Sequence, residues 1–93
     1  MEKLLPSVIE RCLCGVITEA RLEKGLAQKE IAQRLGVHPP FITKIEQGDR
    51  HILAVELWEI SEAYGLGVEE LVRRWQRALK RAADGRRKGP HAA

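Results

Sequence analysis

The side chains of this 93-residue chain that are most typical of zinc and redox sites are two cysteines, Cys12 and Cys14, and three histidines. Residues two apart on a helix point about 200° apart, so the two thiols cannot share one ion. No third and fourth ligand lie close to them in the sequence, as a zinc site requires. We therefore expect Cys12 to be a small buried hydrophobe and Cys14 a partly exposed thiol, with a redox sensor as the alternative. We expect no metal ion and no cofactor.

Catalysis by a side-chain nucleophile also finds no support in the sequence. The histidines, at positions 38, 51 and 91, are scattered, and no serine or threonine has a base at a spacing typical of a catalytic pair. A chain of 93 residues forms one small domain, which argues against a large multi-step enzyme or a transporter. The sequence therefore predicts a protein that binds a partner and is not an enzyme.

Charge is distributed unevenly along the chain, although its formal net value is only +3. Residues 48–72 carry six acidic side chains and one basic one, whereas residues 73–93 carry eight basic side chains and one acidic one. A basic C-terminal segment suggests a polyanion nearby, with a purely solubilising role as the alternative. No apolar run approaches the roughly 20 residues of a membrane span, and the N-terminus lacks the apolar core of a secretion signal. We therefore expect a cytoplasmic protein.

The elements that must position any functional side chain are helices. Apolar residues recur at helical spacing along most of the chain, and no stretch alternates with period two. The pattern predicts an all-α domain of five helices over about 6–24, 28–35, 39–47, 54–64 and 68–83. Residues 84–93 have nothing to bury and are expected to form a disordered basic tail. Trp58, on the predicted fourth helix, is expected to close the edge of the core.

One stretch, residues 25–48, has the organisation of a short helix, a tight turn and a second short helix. Ala32 lets the two helices approach each other closely, and Gly36 supplies the positive φ that the turn requires. This is a helix-turn-helix pattern over about 28–47, whose second helix sits in the major groove of DNA. The space beneath the two helices is expected to be filled by Val37, Ile42 and Ile45.

From about Ile17 to Leu71 the sequence resembles the Cro/repressor-type helix-turn-helix family of bacterial and phage regulators, also called the XRE family. The matching motifs are "Q-x-E-I-A", "L-G-V", "I-x-K-I-E-x-G-x-R" and "A-Y-G-L-G-V-E-E-L", at fixed mutual spacing. The resemblance implies a five-helix lambda-repressor-like domain over residues 1–83, followed by the tail. An unrelated five-helix bundle with coincidental spacing is the alternative.

The resemblance also implies roles for particular residues. Gln28 opens the second helix, where members of the family donate a side-chain amide and backbone N–H groups to a DNA phosphate at the positive end of the helix dipole. Arg50 matches an arginine that supports the following loop and can reach the DNA backbone. Arg21 and Glu46 match an ion pair that joins the first and third helices. The DNA-binding residues implied in this way are Gln28, Lys29, His38, Pro39, Pro40, Thr43, Lys44, Gln47 and Arg50.

The start of the recognition helix departs from the family pattern. The capping position, usually Ser or Thr, is His38. The next two positions commonly read bases by hydrogen bonds, but here both are proline, Pro39 and Pro40. Proline offers only apolar contact, for example with a thymine methyl group. We therefore expect sequence readout to depend on Thr43, Lys44 and the shape of the DNA.

The two ends of the chain carry apolar residues beyond the usual family domain. Trp75 and Leu79 extend the fifth helix, and Leu5 and Val8 extend the first. Such surfaces do not both stay exposed on a small domain, so they either pack on each other or form a subunit interface. We expect a homodimer interface on the fifth helix with the N-terminal segment beside it, made by Leu5, Val8, Cys12, Val72, Trp75 and Leu79.

These observations predict a sequence-specific transcriptional regulator, in particular a repressor that binds double-stranded DNA in the nucleoid. As a homodimer it would occupy a pseudo-palindromic operator with half-sites about 34 Å apart. One alternative is an antitoxin that regulates its own operon and has a toxin as protein partner. The other is a protein-interaction module that does not bind DNA. Salt distinguishes DNA binding from an apolar protein contact, because only the former weakens steeply as salt rises.

Overall fold

The computed structural model of the protein describes residues 4–88, and every regular element within them is a helix. This confirms the predicted all-α class with five helices. None of the helices in this part of the chain is long and apolar enough to cross a membrane. The helices are α1 (Pro6–Glu23), α2 (Gln28–Leu35), α3 (Pro39–Gln47), α4 (Ala54–Ala63) and α5 (Val68–Lys88).

Helix α5 is longer than the sequence pattern predicts. It continues to Lys88 instead of ending near residue 83, so the first five residues of the expected tail, 84–88, are helical. The remainder of that tail, residues 89–93, lies outside the described residues. The reason is local: residues 76–88 contain good helix formers and a single glycine, and a helix that is already nucleated extends at little cost.

Prolines, glutamates and glycines set the helix ends. Pro6 is the first residue of α1, where its missing N–H costs nothing. At the start of α2, where there is no Ser or Thr cap, the Glu30 carboxylate accepts a hydrogen bond from the Ala27 N–H at 3.0 Å. Gly36 and Gly48 end α2 and α3 in the left-handed conformation, with φ values of 70° and 78°. These local signals are why the predicted bounds of α2 and α3 are correct.

The core is a cluster of aliphatic side chains contributed by all five helices. α1 packs on α5 and α3, α2 packs on α3 and α4, and α4 packs on α5. Ala20 and Ala32 are completely buried, which brings the helix backbones close together. Each fully buried Ile or Leu contributes about 1.5–3 kcal/mol to the free energy of unfolding. The most deeply buried aliphatic residues are Ile17, Ile31, Ile42, Ile45, Ile60 and Leu71.

The apolar ends of the chain pack on each other within one chain. The Trp75 indole N–H donates a hydrogen bond to the Ile9 carbonyl at 2.9 Å, and the Cys12 thiol lies 3.9 Å from the Ala78 carbonyl oxygen. Trp75 and Ala78 are partly buried against the core. The sequence allows the two ends either to pack on each other or to form a subunit interface. These contacts are of the first kind, and α1 and α5 cover much of each other.

The two cysteines are arranged in the opposite way to the prediction. Cys14 is buried, with 3% of its surface exposed, and Cys12 is only half-buried. The Cys14 side of α1 faces the end of α3, where its sulfur atom lies near Gly48, whereas Cys12 lies toward α5. Burial raises the pKa of the Cys14 thiol above its ordinary value, which disfavours the reactive thiolate. Within residues 4–88, no three His, Cys, Asp or Glu side chains are grouped to hold a metal ion.

Trp58 does not close the core, and that prediction is wrong. Its side chain is 54% exposed. The inner face of α4 is formed by Leu57, Ile60 and Ser61, followed by Tyr64 just after the helix. Trp58 follows Leu57 by one residue, about 100° around the helix, and therefore points away from the packed side.

Candidate nucleic-acid interface

Helices α2 and α3 form the paired-helix unit that the sequence predicts. After the turn at Gly36, the Val37 N–H donates to the Ala32 carbonyl at 2.9 Å and closes the link between the helices. Ile42 and Ile45 hold the inner side of α3 in the core. The outer side of α3 is therefore directed away from the protein. The exposed residues on or just before this helix are His38, Pro39, Pro40, Lys44 and Gln47.

A nearly buried ion pair anchors α3 to α1. Arg21 Nε donates to Glu46 Oε2 at 2.7 Å, and Arg21 Nη2 donates to Glu46 Oε1 at 2.9 Å. Their side chains are 11% and 6% exposed. Arg21 Nη1 donates to the Leu26 carbonyl at 2.8 Å, so the guanidinium also holds the turn before α2. The hydrogen bond to Glu46 raises the pKa of Arg21 above its ordinary value.

The same carboxylate positions Gln28, the residue that begins α2. Gln28 Nε2 donates to Glu46 Oε1 at 2.9 Å, and the Thr43 hydroxyl donates to Gln28 Oε1 at 2.8 Å. The Gln28 amide is thus held from α3 at both of its ends. An amide nitrogen has two hydrogens, so one N–H remains for an acceptor such as a phosphate oxygen. We call Arg21, Glu46, Gln28 and Thr43 the Glu46 network.

Sequence reasoning identified every member of the Glu46 network and implied the Arg21–Glu46 pair, but it did not anticipate that Gln28 is bonded to Glu46 and Thr43. Thr43 was expected to face bases, and its half-buried hydroxyl donates its proton inside the protein, leaving its lone pairs as acceptors. Gln28 and Thr43 are 15 positions apart, on either side of the turn between α2 and α3. A contact across such a turn depends on how the two helices pack, and no local spacing predicts it.

The Arg50 side chain makes several contacts within the protein. Its guanidinium donates to both oxygens of Glu56 at 2.7 Å, donates to the His51 carbonyl at 3.1 Å, and lies 4.6 Å from the centre of the Phe41 ring. The pair raises the pKa of Arg50 and lowers that of Glu56. These contacts fit the expected support of the loop between α3 and α4. The expected contact of Arg50 with the DNA backbone stays a prediction.

A second link to this loop was missed by sequence reasoning. His51 Nδ1 lies 2.8 and 2.9 Å from the two carboxylate oxygens of Glu10, which connects the loop to the first half of α1. The His51 side chain itself is 90% exposed. The two residues are 41 positions apart, and an acidic residue on an amphipathic helix offers no signal of so distant a partner.

The exposed residues of α3 border one shallow depression with a volume of about 400 Å³. Lys29 is exposed on the neighbouring α2. The predicted DNA-binding residues thus fall on the N-terminal half of α2, the outer side of α3 and the loop after it. The predicted dimer residues lie elsewhere, on α1 and α5. The depression is lined by Pro39, Pro40, Thr43, Lys44, Gln47 and Asp49.

The fold and this surface together define the class of the protein. A glycine turn between two short helices, with the outer side of the second helix free, is the arrangement that places a recognition helix in the major groove. The family model described as Helix-turn-helix matches residues 17–71, more than half of the chain. The chain therefore belongs to the helix-turn-helix family, in its Cro/repressor (XRE) type, a class of DNA-binding transcriptional regulators and not of enzymes.

Two relatives are similar in sequence as well as in fold. The uncharacterized HTH-type transcriptional regulator y4dJ of Sinorhizobium fredii (strain NBRC 101917 / NGR234) is 36% identical over 52 residues, which are 56% of this chain and 68% of that protein. An XRE-family like protein from Pseudomonas syringae pv. tomato str. DC3000 is 28% identical, with a TM-score of 0.69 over 74% of this chain and 84% of the other.

Further solved structures share the fold at lower sequence identity. The clp gene regulator ClgR from Corynebacterium glutamicum superposes with a TM-score of 0.73 at 21% identity, over 90% of this chain and 86% of the other. The wild-type restriction-modification controller protein C.Esp1396I superposes with the same TM-score, 0.73, at 21% identity, over 76% of this chain and 93% of the other. At this identity the likeness concerns the fold alone.

The two prolines at the start of α3 lead to a first prediction. We expect Pro39→Ala and Pro40→Ala each to change DNA affinity by less than about threefold, because a single apolar contact is lost and the helix start tolerates alanine. Fluorescence anisotropy with labelled operator DNA measures this effect. A large loss at Pro40 on the operator, with none on unrelated DNA, would contradict the prediction and assign readout to a methyl contact or to DNA shape.

Proposed function

We propose that the protein is a transcriptional repressor that binds a pseudo-palindromic operator as a homodimer and blocks a promoter by occupying it. The main observation in support of this proposal is the position of Gln28. Glu46 and Thr43 hold its amide at the first residue of α2, beside the exposed side of α3. A donor fixed in this way suits a phosphate oxygen, and it sets the depth at which α3 enters the groove.

In this mechanism the protein contributes three kinds of contact. The N-terminus of α2 binds a phosphate with the Gln28 amide and the positive end of its dipole. The outer side of α3 meets base edges with Lys44, Gln47 and the rings of the two prolines. The loop held by Arg50 and Glu56 lies against the backbone of the same half-site. Lys29 and His38, both exposed, add contacts at the edges of this surface.

The homodimer belongs to the proposal because one domain covers only one half-site. Two recognition helices about one helical turn apart read a pseudo-palindrome, which raises specificity over a single contact. In the proposal, the interface predicted at the ends of the chain uses the parts of these side chains that the packing of α1 on α5 leaves exposed. Leu5 is 60% exposed, and the other predicted interface residues are half-buried. A cytoplasmic, nucleoid-bound protein follows from the same function.

A gel-shift with the DNA upstream of the protein's own gene tests the proposed function. We expect a discrete complex that survives competition by unrelated DNA. Its affinity should fall steeply with salt, because each neutralised phosphate releases counterions. Shuffled DNA of the same composition is the control. Equal affinity for both DNAs would reject an operator, and no salt-dependent binding to either would favour a protein-interaction module.

A further inference from the structure

A second cavity lies beside the recognition helix, between the first half of α1 and the end of α3. Its volume is about 300 Å³, and we call it the α1 groove. The exposed side chains that line it are those of Ser7, Arg11 and Gln47. Gln47, the last residue of α3, also lines the depression on the outer side of that helix. The surface assigned to DNA therefore continues past the end of α3 onto α1.

The charges that line the α1 groove differ in how far the protein satisfies them. Glu46 is nearly buried within the Glu46 network, and both carboxylate oxygens of Glu10 lie within 2.9 Å of His51 Nδ1. Arg11 is exposed and forms no ion pair with any of residues 4–88. Asp49, an exposed acid, lines the depression and not the α1 groove. Arg11 therefore offers a free guanidinium beside the recognition surface.

The backbone that carries Arg11 is held in place by two long-range contacts. The contact of Glu10 with His51 ties the first half of α1 to the loop after α3. The hydrogen bond from the Trp75 indole to the Ile9 carbonyl ties the same part of α1 to α5. Arg11 therefore projects from a fixed backbone beside α3. Binding through such a residue orders little more than its own side chain, which keeps the entropic cost of the contact low.

We infer that Arg11 binds a phosphate of the DNA backbone at the edge of the half-site that α3 reads. A helix lying in the major groove has a phosphate backbone along each side, and a guanidinium can bind two phosphate oxygens at once. Such a contact adds affinity and fixes the orientation of the protein without reading sequence. The inference rests on the proposed function, and it adds to the DNA-binding surface a residue of α1 that the sequence did not predict to bind.

The contact is tested with Arg11→Ala in the full chain, on a duplex with a single half-site, which needs only one domain. We expect affinity to fall about three- to tenfold on the half-site and on unrelated DNA alike, and the salt slope to fall by about one. The melting temperature should not change, because the side chain is exposed. Arg73→Ala is the matched control, since it removes the same charge from a side chain of α5 that is 58% exposed. Unchanged affinity in Arg11→Ala, or an equal loss in Arg73→Ala, would overturn the inference.

A scan of the DNA locates the phosphate. Each phosphate of the duplex is replaced in turn by an uncharged methylphosphonate, and the affinities of wild type and Arg11→Ala are compared at every position. We expect one position at the edge of the half-site where the replacement weakens wild type by the same factor as Arg11→Ala and has no effect on the variant. If the variant responds like wild type at every position, Arg11 contacts no phosphate and the inference is wrong.

The same titrations distinguish a failure of this inference from a failure of the proposed function. If Lys44→Ala weakens operator binding and Arg11→Ala does not, the proposed function stands and the contact from α1 is rejected. If wild type binds the operator and unrelated DNA equally well, the operator is rejected, while the methylphosphonate scan still decides the contact of Arg11. Absence of salt-dependent binding of wild type to any DNA would reject both.

Discussion

Replacing Glu46 with alanine is expected to lower the free energy of unfolding by about 3–5 kcal/mol. The substitution strands the Arg21 guanidinium, which is 11% exposed and has only the Leu26 carbonyl left as a partner. It also removes the acceptor that holds the Gln28 amide. For a domain of this size the melting temperature should fall by at least about 12 °C. Thermal unfolding followed by circular dichroism measures the change.

A matched control distinguishes the loss of a buried ion pair from the loss of an exposed one. Arg73→Ala breaks an ion pair with Glu70 at 3.2 Å, but both side chains are well exposed, and solvent screening makes such pairs nearly neutral for stability. We expect this variant to melt close to wild type. Arg21→Met combined with Glu46→Leu should regain part of the lost stability, because no charge is then stranded. An unchanged melting temperature in Glu46→Ala would show that the pair is irrelevant to folding.

Replacing Lys44 with alanine is expected to reduce operator affinity roughly ten- to hundredfold while leaving the melting temperature unchanged. Lys44 is exposed on the outer side of α3 and borders the depression that faces away from the core. Its ammonium group can therefore meet a base edge or a flanking phosphate, and no packing is lost when it is removed. Anisotropy titrations of wild type and variant at several salt concentrations measure the effect.

The salt dependence separates the two kinds of contact for Lys44. A phosphate contact would weaken binding to all sequences alike and reduce the salt slope by about one, whereas a base contact would weaken mainly the operator. Lys80→Ala is the control on single half-site DNA, since Lys80 is exposed on α5, away from the paired-helix unit. Equal affinities for wild type and Lys44→Ala at low salt would exclude Lys44 from the interface.

Much of the DNA-binding unit follows from the sequence because its signals are local. Gly36 and Gly48 end two helices, and two prolines begin the second of them, so the bounds of α2 and α3 need no tertiary information. The motifs between residues 17 and 71 are equally local, and they are sufficient to identify the family. The Arg21–Glu46 pair was implied by that family, and the structure contains it.

Other features depend on how the helices pack against each other. The helical spacing of apolar residues shows that a helix has a buried side. It does not show which residues at the edges of that side are covered by a neighbouring helix. For that reason Cys14 is buried instead of Cys12, and Trp58 stands outside the core. The end of α5 was also misjudged, because a missing apolar face indicates that a segment is not buried and does not indicate that its helix has stopped.

The sequence by itself determined the number and order of the helices, the paired-helix unit, the family and the residue types available at the surface. The tertiary structure decided how those residues are held, with the Gln28 amide between Glu46 and Thr43 and the Arg50 guanidinium on Glu56. It also decided that Trp58 stays exposed. The physical reason is the distance along the chain over which each kind of interaction acts. Helix propensity and capping act over a few residues, whereas a hydrogen bond between helices forms only where packing of the core brings its two groups within about 3 Å.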